Sequence, residues 1–542
     1  MKKNTPFKPT KKMPQRPIAA PTQIEINTLA ALYNQRQFAE AETAARDLMQ
    51  RFPKHGFGWK VLGAVLQSVG RIEESLEAKQ TAADLSPNDA EAWSNLGNTY
   101  QEQNRLNDAE KCLRHAIKIS PNLAVAHNNL GITLEKLKRL NDAETSYQQA
   151  ISLRPDYAEA HYNYAITLQK LARFAAAETH YREAILIDPN HAKAHSNLGI
   201  VLKNQAQFVE SEQRFLTALQ LDPHFIDAHY NFALLLMLVG RLREGWAQYQ
   251  WFYHPQNTNP SKPNTPNLNA PQWNGEPLQG KTILIHSEQG FGDLIQFVRY
   301  AEQLKAMGAT VWVLVTKPLL ALFQTIPWID RVLDNGEQHQ TTFDFWVFPL
   351  ALPFWFQTTL ETVPLNLPYL SADETKIMAW RDWLQQRIPA KNKRVGLVWA
   401  GNPVHANDAN RSIEFAELAT LANVQNVTFI SLQLGEKAQK ELENCPENLT
   451  ILNAAPFIHD FTDTAALLSV LDLLITVDSA PAHLAGALNL PVWTLITKVP
   501  DWRWLLERDD SIWYKNMRLF RQPEIGDWAG VLENVKIALK QL

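Results

Sequence analysis

Six prolines stand at a constant interval in the first half of this chain: Pro53, Pro87, Pro121, Pro155, Pro189 and Pro223, each 34 residues after the one before. An uninterrupted period of that length is the signature of a two-helix unit stacked into a solenoid. Such a unit buries its apolar face only against its neighbours, and the stack presents an extended concave surface suited to hold something long.

Other positions keep the same period. Six residues after each proline come Trp59, Trp93, His127, His161, His195 and His229. Ten residues after it come Gly63, Gly97, Gly131, Ala165, Gly199 and Ala233, and twenty-nine after it Ala82, Ala116, Ala150, Ala184 and Ala218. Small residues at fixed places let paired helices approach closely. Proline stops one helix and starts the next. This set resembles the tetratricopeptide repeat. Six repeats begin at the prolines, and a weaker one precedes them over 24–52 with Ala41 in the small slot. The histidines lie one repeat apart, too far to share a metal ion, and read as packing and hydrogen-bonding positions.

One recurring residue has no packing reason. Eight positions after the proline stand Asn95, Asn129, Asn163, Asn197 and Asn231; the first repeat has Val61 there. Asn is a mediocre helix former. On the first helix of each pair it is expected to face the concave side, where an amide both donates to and accepts from a peptide backbone. A similar asparagine ladder occurs in the O-linked N-acetylglucosamine transferases, where it binds protein substrates. The alternative is plain inheritance through repeat duplication.

At 542 residues the chain holds several domains, and 45% apolar residues with 17 Trp supply ample core. A net charge of −4 gives no general nucleic-acid or membrane footprint. Two cysteines, Cys112 and Cys445, build neither a disulfide framework nor a zinc cluster. The basic opening MKKNTPFKPTKKMPQRP lacks the apolar core of a signal peptide, and the apolar run 232–239 is too short to span a bilayer. A disordered leader over 1–21 and a cytoplasmic protein without a transmembrane segment are expected.

The repeat pattern fades after Trp251. Residues 254–279 are rich in Pro and Asn and read as a linker or laced connector. Short apolar strands then alternate with helical stretches: KTILIH, TVWVLV and FDFWVF in one set, RVGLVW, VTFISL, LTILN, DLLITV and PVWTLI in a second. This is the grammar of parallel α/β sheets. The expected organisation is a repeat solenoid over 22–253, one Rossmann-like half over 280–388 and another over 389–542. Ligands in such sheets bind beyond the carboxyl ends of the strands.

Polar clusters sit at those ends. After KTILIH comes Ser287-Glu288-Gln289-Gly290-Phe291-Gly292-Asp293. Its glycines permit a tight turn and close backbone approach to a phosphate, and the helix that follows favours negative charge at its start. Asp293 is expected either to cap that helix or to act as a general base. After RVGLVW come Trp399, Gly401 and Asn402, then His405 and Arg411. Gly401 offers backbone amides to a phosphate. Arg411, ahead of a helix predicted near Ile413, neutralises a diphosphate or makes a surface ion pair. After DLLITV comes Asp478-Ser479-Ala480-Pro481-Ala482-His483. Ser479 is expected to cap the helix, and His483 to orient a ligand or bond Asp478. Last comes Asp501-Trp502-Arg503-Trp504. Trp399 and Trp502 are candidates for stacking on a sugar or base, or for the core.

Together, GFGD, WAGNP…NRS and TVDSAPAHLAGAL look like the family 9, heptosyltransferase-like glycosyltransferases, and more narrowly like bacterial proteins fusing such a domain to tetratricopeptide repeats. The resemblance covers about 275–542, and the repeats extend it. It implies a GT-B fold and transfer from a nucleotide-diphosphate sugar, a co-substrate, with no cofactor and no required metal. It implies that Asp293 is the base, that Arg411 contacts the diphosphate, and that the turn Asp478, Ser479 and His483 contacts the donor beside Gly290, Gly292, Gly401 and Asn402. Heptosyltransferases use a lipid-linked sugar acceptor and usually lack repeats; the array and its Asn row favour a protein or peptide acceptor. A scaffold without catalysis, and a glycan-building transferase, are the competing readings.

Overall fold

The computed structural model describes residues 20–259, 262–288, 290–405, 407–446 and 449–542; the expected leader lies outside them but for residues 20 and 21. The chain divides into two compact units, at Val201 and Leu202.

The first unit is built of antiparallel helix pairs: Gln23–Asn34 with Phe38–Arg51, Gly56–Ser68 with Ile72–Leu85, Ala90–Glu102 with Leu106–Ile119, Ala124–Lys136 with Leu140–Leu153, and Ala158–Lys170 with Phe174–Ile187. The turn inside a pair needs a left-handed residue. It falls on Arg36, Gly70, Asn104, Lys138 and Ala172 here, and on Ala206 and Gly240 in the second unit, with φ between 57° and 85°. The small slots are as tight as their period demands. A Cβ on Gly131 would stand 2.6 Å from the Tyr147 ring, and one on Gly97 2.8 Å from Leu113.

From the second proline on, the ring six residues later has a definite job, whereas the Trp59 indole Nε1 is buried without a hydrogen-bond partner among the described residues. Trp93 Nε1 donates to the Pro87 carbonyl at 3.2 Å. His127, His161, His195 and His229 place Nε2 2.9–3.1 Å from the carbonyls of Pro121, Pro155, Pro189 and Pro223. A carbonyl only accepts, so Nε2 carries the proton. Each ring therefore ties the start of a helix to the turn that precedes it.

The second unit contains the helices Phe208–Leu221, Ile226–Leu238 and Leu242–Tyr249, the turn Gln250–Tyr253, and two parallel sheets. The first sheet has β1 (Thr282–His286), β2 (Thr310–Val315), β3 (Arg331–Asp334) and β4 (Phe345–Val347), in the order β3-β2-β1-β4. The second has β5 (Lys393–Val398), β6 (Val427–Ser431), β7 (Ile451–Asn453), β8 (Leu473–Val477), β9 (Val492–Ile496) and β10 (Met517–Arg521), in the order β10-β9-β8-β5-β6-β7. The chain leaves β5 to one side and resumes at β8 on the other, so the crevice at a reversal of strand order lies between these two ends. This is a GT-B-like α/β region. The eight strands read from the sequence are present; β3 and β10 are additional.

The described residues of segment 254–279 are laced rather than loose. Trp273 is buried and donates its amide to the Trp346 carbonyl at 2.8 Å, and the Trp346 amide returns to Pro271 at 3.1 Å. One apolar core joins the last hairpin to both sheets, through Met237, Trp246, Ile283, Leu294, Trp502 and Trp513. Trp246 meets Trp502 edge to face at 5.2 Å.

Candidate functional site

The loop after β1 leads into the helix Phe291–Phe297, with Gly290 at its N-cap. Asp293 takes the third helical position. Its Oδ2 accepts the Gly290 amide at 3.0 Å, closing the helix start, and its Oδ1 accepts from Arg503 Nη2. Asp293 thus caps the helix and also faces the other half of the α/β region. Burial pushes its carboxyl up, while the Arg503 charge opposes the rise.

Arg503 joins the two halves. It is nearly buried, its Nη1 donates to Asp501 Oδ1 at 2.9 Å, and its Nε donates to Gln296 Oε1 at 2.7 Å on the Asp293 helix. Its carbonyl accepts from the Trp513 indole at 3.1 Å. In the sequence Arg503 stands only within the run Asp-Trp-Arg-Trp, with no role expected for it; that run is the available signal.

Gly292 has a packing reason of its own. A Cβ there would stand 2.8 Å from His483 Cδ2 and 3.5 Å from Ala480 Cα, so glycine lets the helices Phe291–Phe297 and Ala480–Ala487 abut. His483 bonds Tyr514 and not Asp478. Its Nδ1 is 3.0 Å from the Tyr514 hydroxyl, and its ring stacks on Trp504 at 5.5 Å. Burial, with the Arg503 charge, holds its imidazole well below the usual range, and so neutral.

At the end of β8, Ser479 takes the N-cap position, but its hydroxyl lies 2.9 Å from Thr476 Oγ1 and does not bond the helix amides. The helix start is therefore not capped from within, unlike the expectation. Asp478 beside it is pushed by burial up to about 6, and the Asp501 charge adds to the rise.

At the end of β5 the Gly401 amide donates to Ser412 Oγ at 3.0 Å, so that amide is already used. Gly401 is small for another reason: a Cβ would stand 2.5 Å from Asp408 Oδ1 and 2.6 Å from Arg411 Nη2. Arg411 closes the short helix Asp408–Arg411 and pairs with Asp408 at 3.3 Å; the next helical turn starts at Phe415, not near Ile413. Its charge still reaches the cleft, where it helps depress His405, after burial, and opposes the rise of Asp478. Asn402 is exposed and folds its Oδ1 back to the Val404 amide at 3.1 Å.

The two tryptophans proposed for stacking are core residues. Trp399 is 2% exposed, packs on Phe415 and donates Nε1 to Glu441 at 3.0 Å; Trp502 is 5% exposed among Trp246, Phe297 and Trp513.

The asparagines do lie on the first helix of each pair, yet they do not form a uniform row of free amides. Asn95 is exposed. Asn129 Oδ1 accepts from Asn128 at 3.4 Å, and Asn163 donates to Asn128 Oδ1 at 3.2 Å, so the buried Asn128 bridges neighbouring repeats. Asn197 donates to the Tyr162 hydroxyl at 3.3 Å, and Asn231 to its own helix at Asp227 at 2.7 Å. Among the described residues no helix is long and apolar enough to cross a membrane.

Residues 59–122, 90–156 and 122–190 match a tetratricopeptide-repeat family model, and 180–213 match a second. Residues 411–512 match the model of glycosyltransferase family 9 (heptosyltransferase). Protein FlbA of Caulobacter vibrioides is 26% identical over 327 residues, 56% of this chain and 54% of that protein. The chain thus spans about half the length of this curated relative. The pilF structure of Pseudomonas aeruginosa is 17% identical with a TM-score of 0.35, covering 38% of this chain and 93% of that one. The thermophilic tetratricopeptide protein TTC0263 of Thermus thermophilus is 20% identical with a TM-score of 0.30, covering 33% and 98%. Likenesses this partial carry no argument about ligands. The motifs at the strand ends fall within and beside the matched segment, and the chain carries tetratricopeptide repeats in its N-terminal part and a family 9, heptosyltransferase-type glycosyltransferase domain at its C-terminal end.

Proposed function

We propose that this protein, acting in the cytoplasm, moves a sugar from a nucleotide-diphosphate donor to an acceptor hydroxyl on a protein held by the repeats, with inversion and without a required metal ion. The observation that carries this is the Asp293 carboxylate. It sits at a helix start beyond β1, paired with Arg503 from the opposite half, within the field of Asp501 and His405. A base in that position takes the acceptor proton as the oxygen attacks the anomeric carbon. Both Asp293 oxygens already accept one bond, and each has a second lone pair for the acceptor hydroxyl. Arg411 and the Ala480 amide at the start of the Ala480–Ala487 helix, where the helix dipole favours negative charge, are suited to stabilise the departing diphosphate.

A thermal-shift screen against nucleoside diphosphates and nucleotide sugars tests the donor: a ligand at about 100 times its Kd should stabilise the fold by roughly 2.7 kcal/mol. Asp293→Asn should then lower transfer by roughly 10²–10⁴-fold while leaving donor binding intact. Transfer retained in that variant removes Asp293 from the base role. No shift with any member of the panel leaves a repeat scaffold as the function.

A further inference from the structure

Between β1 and Gly290 stands Glu288, an acid that the transfer chemistry above does not use. Its Oε1 accepts the Leu350 amide at 2.8 Å, and its Oε2 accepts the Tyr253 hydroxyl at 2.9 Å. Tyr253 closes the last repeat hairpin in the turn Gln250–Tyr253, and its ring stacks on Phe348 at 5.2 Å. Leu350 lies just beyond β4. Three segments distant in sequence therefore meet on one carboxyl group. Gly290, whose amide Asp293 holds, follows two residues later.

Burial disfavours a charged carboxylate, and it pushes Glu288 up to about 8. At neutral pH the group is a neutral acid. The ionisable groups that face it are Tyr253 and Tyr230 from the repeats and Asp293 from the next helix, with Tyr249 acting on Tyr253. Neutral Glu288 bridges the segments without adding charge. Once ionised, it sets a second negative charge near Asp293 and against any diphosphate entering the cleft.

We propose that Glu288 is a positioning residue for sugar transfer: gripped by Tyr253 and the Leu350 amide, it ties the end of the repeat array to the loop that presents Asp293. The proposal rests on the transferase reading, and it makes the last hairpin part of the reaction site's framework rather than a detachable binding module.

Two measurements on the full chain test it. The first needs no ligand: the infrared difference between wild type and Glu288→Gln should contain a protonated-carboxyl band at neutral pH that fades as pH passes about 8. Tyr253→Phe should move that fading to higher pH, because the Tyr253 hydroxyl favours the charged form. The second is the pH profile of kcat/KM with the donor that the nucleotide screen identifies. Glu288→Ala should lose up to roughly 10²-fold through a misplaced loop. Glu288→Gln, the neutral isostere, should recover most of that loss and lack the alkaline decline of the wild type. If Glu288→Ala fails to fold, Glu288→Gln and Tyr253→Phe still decide the matter. An absent infrared band, or a wild-type alkaline limb retained in Glu288→Gln, overturns the proposal. A wild type that turns over no donor sinks the transferase reading instead, and the infrared result then reports separately whether burial keeps Glu288 neutral against the Tyr253 hydrogen bond.

Discussion

Charge is used in opposite ways in the repeats and in the transferase cleft. In the first unit, Arg71 pairs with Glu42, Arg139 with Glu110 and Arg173 with Glu144, each across 29 residues from one hairpin to the next. These arginine side chains are 40–51% exposed. In the cleft, Arg503 is 9% exposed and holds Asp293 and Asp501 at once. Exposed pairs contribute little, because water screens them and long side chains lose entropy to make them. A buried cation between two carboxylates is different: removing it strands charges that have no other counterion. Redundancy in the array and singularity in the cleft follow from solvent access, not from the residue types, which are the same.

The sharpest way to break that contrast is to make the same truncation in both places. Arg503→Ala should cost up to about 3–5 kcal/mol in chemical denaturation, by leaving the largely buried Asp293 without its cation, while the more exposed Asp501 is rescued in part by water. Arg173→Ala should cost less than about 1 kcal/mol. Equal losses would show that burial is not what separates the two regions.

A second test uses pH. Burial raises the Asp478 carboxyl from its ordinary 3.8 to about 6. Between those values the folded chain binds more protons than the unfolded one, so this group's contribution to stability falls as pH rises through the window and is fully lost above it. Asp478→Asn removes the titration. The variant should be more stable than wild type at neutral pH and should show a flatter stability profile between about pH 4 and 6. A profile unchanged by the substitution would place Asp478 in contact with water and outside the buried cluster.

The same contrast governs what could be read from the sequence. The array was legible because each repeat restates its constraint: the prolines, the rings bonded to their carbonyls and the small slots all recur. The strand ends of the transferase region were legible from apolar runs that close on polar residues. β3 was not, since Arg331–Asp334 is a four-residue edge strand that begins exposed and ends in an acid. β10 was hidden in a segment read only as a motif. The partners within the site were illegible for a deeper reason. Arg503 reaches Asp293 and Gln296 across more than two hundred residues, and Gly292 is small because of His483, in another sheet's helix. No local periodicity records such meetings. Ser479 was misjudged because Thr476, three residues before it, competes for the hydroxyl.

The smallest effect lies in the turns of the array, where the period imposes a backbone and leaves the residue free. The left-handed position is filled by Gly70 in one repeat and by Ala172 in another, at φ 79° and 57°. A Cβ in that region costs about 1 kcal/mol, while glycine gives part of this back through a freer unfolded chain. Ala172→Gly should therefore stabilise the protein by a few tenths to about 1 kcal/mol, and Gly70→Ala should destabilise it by a similar amount. Gly70 has open space where a Cβ would stand, so any loss there is backbone strain and not a clash. Thermal unfolding of the two variants, each compared with wild type, measures both. Opposite signs would show that one conformational rule runs through repeats whose sequences differ. Matching signs would mean that each turn is held by its own side-chain contacts, and that the array is less uniform than its period implies.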